Sequence, residues 1–313
     1  MSLSLEKIES YARAIMNERK ILNKAVILCE GTPEVLSEEG NKHVTHSPRF
    51  YKQLETAPDS SFYSACLPKH MRSRFRPIFF NCGGRADVLK IFVKLHELHQ
   101  DSVESYLTLE KLFVLIDVDM QKAEITETSR NLESNTEEVF HKLYNALKIN
   151  QAQLKEHVIF TTGLIHKEAY FLLPELKEFF KDYRNQIFYK NAPLDLTQVY
   201  NDIIHEFEED KDLAANFEIA QRRLAFSSLD STNLSSLKHA FHQAYQQAEN
   251  PDLIPILFLI RKAKPYWKEL SEDSSNSPQQ FHEQLSLAIA RFYSDKNDEN
   301  FHLTAIFNAI YER

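Results

Sequence analysis

Four short runs of uninterrupted apolar residues constrain this chain most: Ala25-Val26-Ile27-Leu28-Cys29, Ile78-Phe79-Phe80, Leu112 to Ile116, and Val158-Ile159-Phe160. A strand with one wet face alternates apolar and polar residues, whereas a strand buried on both faces is apolar throughout. The runs therefore predict a parallel sheet covered on both sides. Helical periodicity fills the intervals, with Val88, Leu89, Phe92, Leu95 and Leu98 on one face and Val139, Phe140, Leu143, Tyr144 and Leu147 on another. That order implies right-handed crossovers and a three-layer α/β arrangement.

From about residue 175 the strand signal fades, and 196–209, 214–224, 234–248 and 281–293 read as amphipathic helices. The expected organisation is an N-terminal helix over 1–20, an α/β domain over 21–185, and an α-helical C-terminal domain over 186–313 that packs on it or docks a partner. A length of 313 residues suits two domains. The 45 acids against 37 Lys+Arg give a net charge of −8, so any contact with nucleic acid must use a local basic patch. No run approaches the roughly 18 apolar residues of a membrane span. The first twenty residues lack a secretory pattern, so the expected location is the cytoplasm. Cys29, Cys66 and Cys82 are odd in number and without CxxC spacing, which argues against a disulfide scaffold or zinc ribbon.

In an open α/β sheet, ligands bind beyond the carboxyl ends of the strands. Here those ends are acidic. The first run ends Cys29-Glu30-Gly31 and the third ends Ile116-Asp117-Val118-Asp119. On an extended chain a two-residue spacing returns both aspartates to one side. If the two runs are neighbours, Glu30 joins them, and three carboxylates repel unless a cation intervenes. Hard oxygen ligands favour Mg²⁺ or Mn²⁺ over zinc. The bland alternative is that strand-end acids cap helices or are simply solvated, and a lone DxD is common.

These residues resemble the TOPRIM domain shared by topoisomerases, primases and a group of nucleases. The likeness rests on ILCEG at 27–31, FFNCGG at 79–84 and LIDVDM at 115–120, and covers roughly 21–176. The stretch GLIHKEAYFLLP at 163–174 is similar to the segment that follows the sheet in overcoming-lysogenization-defect-type nucleases and related TOPRIM defence nucleases. The resemblance implies a TOPRIM-like parallel sheet and a divalent-metal-dependent nuclease acting on DNA or RNA, with Glu30, Asp117 and Asp119 at its metal. It also implies an acid four residues after the glutamate, a place Glu34 occupies, and a separate ATPase chain in anti-phage defence. The family pattern has Asp at that place and runs directly into a helix with an aromatic pair. This chain has Pro33 and a polar stretch with Gly40 before Phe50-Tyr51. Glu168 is a further candidate ligand, and Lys167 a phosphate contact. A catalytically silent binding subunit is the alternative.

Lys69, Arg72, Arg74 and Arg76 lie within eight acid-free residues before the second run, with His70 and Phe75 interleaved. Such cations suit phosphates, and an aromatic suits an exposed base. Arg85, after Gly83-Gly84, stands where a helix start favours anions, and helix packing serves equally as its reason. No phosphate-binding G-x-x-x-x-G-K-[ST] loop occurs, so an ATPase must be another chain. Oligomeric state stays open, a homo-oligomer included.

Overall fold

The computed structural model describes residues 3–33, 59–74, 76–101, 105–125, 133–247, 252–273 and 277–313. All four apolar runs form strands: β1 Val26–Cys29, β2 Ile78–Asn81, β3 Leu112–Ile116 and β4 Ile159–Thr161. They make one parallel sheet in the order β2-β1-β3-β4. Val26 lies between Ile78 and Leu112, and Cys29 between Asn81 and Leu115, so the carboxyl ends of the first three strands are level. Every residue of β1 and β3 is buried, as continuous hydrophobicity requires.

Helices α1 (Leu5–Met16) and α4 (Arg85–Asp101) pack together. The β1-to-β2 connection runs back through α2 (Asp59–Cys66) and α3 (Lys69–Arg74). From β1 the chain moves outward to β2, and from β2 it returns across β1 to β3. Right-handed crossovers in opposite directions put α2 and α4 on opposite faces.

Beyond β4 the chain is not purely helical. A three-stranded antiparallel sheet joins β5 (Ile187–Tyr189) to β6 (Ala192–Pro193) and to β7 (Leu270–Glu272), more than eighty residues later. Strands of two or three residues leave no periodic trace, which is why the strand signal faded there. The long helix Pro278–Lys296 lies against α2. Its Ser294 hydroxyl accepts a 2.8 Å bond from Arg72, and Tyr293 donates to the Tyr170 carbonyl at 2.6 Å. Tyr266, Trp267, Phe281 and Tyr293 are all buried in this packing. The three cysteines are free and buried. No described helix is long and apolar enough to cross a membrane.

Candidate active site

Two loops leave the sheet side by side. Gly31 and Gly83 exchange backbone hydrogen bonds of 2.9 and 2.7 Å, stitching the turn after β1 to the turn after β2. Both need glycine, because their φ angles are +123° and +94°, and a Cβ on Gly31 would stand 2.8 Å from the Asn81 side chain. Asn81 Nδ2 donates to the Ser60 hydroxyl at 2.8 Å, and its Oδ1 accepts from the Ser60 amide at 3.1 Å. The amide side chain at the end of β2 thus seats the start of α2, and with it Asp59.

At the ends of the adjacent strands β1 and β3, the Asp117 amide donates to Glu30 Oε1 at 3.0 Å. Burial, with the charge of Asp59, pushes the Glu30 carboxyl up to about 7, against the pull of that amide. Burial and the neighbouring Glu30, Asp59 and Glu168 likewise hold Asp117 well above the usual carboxylate range. The Tyr63 hydroxyl lies 3.5 Å from Asp117 Oδ1.

Asp59 is the residue that sequence reasoning missed. It is 5% exposed, ion-paired with Lys167, and carries Phe62-Tyr63 three and four positions on. Asp59 thus opens a helix that carries an aromatic pair, whereas Phe50-Tyr51 lie outside the described residues. Glu34 lies outside the described residues.

Asp119 is placed differently from the extended-chain expectation, because β3 ends at Ile116 and Asp119 adopts a left-handed φ of +47°. Its carboxylate accepts from the Met120 amide at 2.7 Å and faces Lys262 at 3.6 Å. It still acts on Glu30 through space, raising that carboxyl further. The loop is gripped from two sides. Arg85 donates to the carbonyls of Val118 (2.7 Å), Asp117 (3.4 Å) and Gln121. The buried Arg223 donates to the carbonyls of Asp119 and Leu259 and pairs with both oxygens of Glu137.

Glu168 is also buried. Its burial would raise it, but the His166 ring at 3.0 Å, with Lys167 and Lys264, holds it well below the usual range. The Ala263 amide donates to His166 Nε2 at 3.1 Å, leaving Nδ1 to face the carboxylate. Burial works against the Lys167 ammonium, yet the acids around it raise its pKa. Lys167 is therefore an interior cation paired with Asp59, not a surface phosphate contact.

The basic stretch divides. Arg72 is spent on the carbonyls of Leu67 and Ala65 and on Ser294. Lys69 forms an exposed pair with Asp295 at 2.9 Å, worth little in water. Arg76 is exposed. The side chain of Arg74 and all of Phe75 lie outside the described residues. Arg85 faces loop carbonyls, a bracing role.

Among the described residues, no three His, Cys, Asp or Glu side chains are grouped so as to hold a metal ion together. What the carboxylates share is an electrostatic strain that a hard cation would relieve. No family model, no curated protein and no solved structure matches this chain.

Proposed function

We propose that this chain is a TOPRIM-type, divalent-metal-dependent nuclease that hydrolyses phosphodiester bonds in DNA or RNA, with residues 186–313 as a mainly helical domain that also carries the small antiparallel sheet. The observation that carries the reading is the meeting of Glu30 and Asp117 at the level ends of adjacent parallel strands, both with carboxyl pKa values raised, beside Asp59 and Lys167. This agrees with the likeness of ILCEG and LIDVDM to TOPRIM motifs. The donor set is all oxygen, which would suit Mg²⁺ or Mn²⁺; Glu30 and Asp117 would hold the ion, with Asp119 and Asp59 as further ligands once they turn from Lys262 and Lys167. Such an ion lowers the pKa of water and stabilises the attacking and leaving oxygens of an in-line displacement. The chain's own residues do the rest. Lys167 offsets the charge of Asp59, Arg85 and Arg223 fix the loop that presents Asp117 and Asp119, and His166 with Lys264 keeps Glu168 ionised.

The partner we propose, from the same resemblance, is a separate ATPase chain in an anti-phage defence system. A second reading, a catalytically silent binding subunit, is favoured by the absence of a ready metal trio among the described residues and by the engagement of Asp59 with Lys167. The deciding experiment incubates the protein with Mg²⁺ or Mn²⁺ and plasmid DNA, single-stranded DNA or total tRNA, beside Asp117→Asn and Glu30→Gln. The nuclease reading expects cleavage that both substitutions abolish. Metal binding in calorimetry without cleavage of any substrate establishes the silent reading instead.

A further inference from the structure

We propose that an open basic groove along the β2 edge of the sheet binds the phosphate backbone of a nucleic-acid strand, separately from the carboxylates. The groove, about 780 Å³, is lined by Lys20, Lys24, Arg72, Arg76 and Arg291. A smaller cavity of about 140 Å³ shares Lys24 and Arg76 and adds Lys111 and Arg313. The shared residues make the two one track. No carboxylate lines either cavity among the described residues, although the chain as a whole carries eight more acids than bases. Lys20 approaches Glu18 at 3.9 Å at the margin, while Lys24, Arg76 and Arg291 have no carboxylate partner among the described residues. Cations gathered in this way repel one another, and their field concentrates polyanions.

Helix α2 gives the track its direction. Ser61 and Ser64 line the groove with hydroxyls suited to phosphate oxygens, beside Ser60, whose hydroxyl is engaged by Asn81. Ser60 follows Asp59, so one end of the groove adjoins the carboxylate cluster. The other end reaches Arg76 and Pro77, before β2, at the amino edge of the sheet. Eight helical residues span about 12 Å, which matches three or four phosphates at roughly 3.4 Å per nucleotide. Cations strung along a track fit a row of phosphates better than a single one.

The inference rests on the nuclease reading only in taking the bound strand to be substrate; the binding stands without it. The test is fluorescence anisotropy of labelled 20-nucleotide DNA and RNA strands, in EDTA, across a salt series. The triple variant Lys24→Glu/Arg76→Glu/Arg291→Glu is expected to weaken binding at least tenfold. It should also flatten the slope of log affinity against log salt by about 2, since each phosphate contact on a single strand contributes roughly 0.7. The charge-matched variant Lys7→Glu/Lys90→Glu/Lys148→Glu, at exposed positions elsewhere, and Asp117→Asn should keep wild-type slopes. A melting curve confirms that each variant is folded. Equal loss in both triple variants, or an unchanged slope in the groove variant, overturns the proposal. Displacement of the strand by ATP at matched phosphate concentration also overturns it, in favour of a mononucleotide site. Groove-dependent binding without cleavage by any metal-loaded form refutes the nuclease reading alone.

Discussion

Replacing Arg223 by methionine should cost about 3 kcal/mol, a figure reached from the ion pair's burial, with a second route giving its pH dependence. The guanidinium is 1% exposed and contacts Glu137 at 2.6 and 3.2 Å, as well as the carbonyls of Asp119 and Leu259. Removing one partner of a buried ion pair costs about 3 to 5 kcal/mol, because the other charge stays in the interior. The second route is proton linkage. Although burial opposes it, hydrogen bonds from His141 and Arg223 lower Glu137 from 4.5 to about 2. At about 1.4 kcal/mol per pKa unit, that depression is worth about 3.5 kcal/mol above pH 4.5, shared between His141 and Arg223. A depressed carboxyl stabilises the fold above its unfolded pKa, so this contribution is lost as pH falls from 4.5 towards 2. Urea unfolding followed by the fluorescence of Trp267, the single tryptophan, reads the difference. The wild type should exceed Arg223→Met by about 3 kcal/mol at pH 7 and by about 1 kcal/mol less at pH 3.5. Arg223→Met/Glu137→Met should recover more than half the loss, since neither charge is stranded. A loss below about 1 kcal/mol, or a difference that does not change between pH 7 and 3.5, refutes the account.

Asp59→Asn should abolish metal-dependent cleavage while Glu34→Gln keeps at least a third of it, measured as initial rates on the substrate that wild type cuts best; the opposite ranking would return Glu34 to the site. Gly163→Ala should destabilise the protein by about 1 to 3 kcal/mol through overpacking, because a Cβ there would lie 2.2 Å from the buried His302 ring. An unchanged melting temperature would show that the His302 helix can move aside.

The parallel sheet was legible because burial on both faces leaves its mark in every residue of a strand, as in LFVLI at 112–116. The acids that meet at its ends could be named from the same runs. Asp59 is not legible, because a long polar stretch separates it from Glu30-Gly31 and Phe50-Tyr51 offers an earlier aromatic pair. The antiparallel sheet escaped because Ile187–Tyr189 finds its partner only at Leu270–Glu272. Arg72 looked like a free cation because the chain does not reveal that the carbonyls of Leu67 and Ala65 and the Ser294 hydroxyl close around it. Arg223, Lys262 and Lys264 stand beside loop and site acids through tertiary packing alone, which no local pattern records.

The double grip on the loop after β3 has a consequence for the order of events at the ribosome. Arg85 precedes Asp119 in the chain, but Arg223 emerges 104 positions after it, and the Lys262 and Lys264 that face Asp119 and Glu168 emerge later still. At about 5 to 20 residues per second, the loop waits roughly 5 to 20 s for its second clamp. During that interval the sheet can form, but the Asp119 carbonyl has no guanidinium to hold it. A nascent chain therefore carries the acids long before it carries their arrangement, and whatever chemistry they perform is withheld until Arg223, Lys262 and Lys264 have followed.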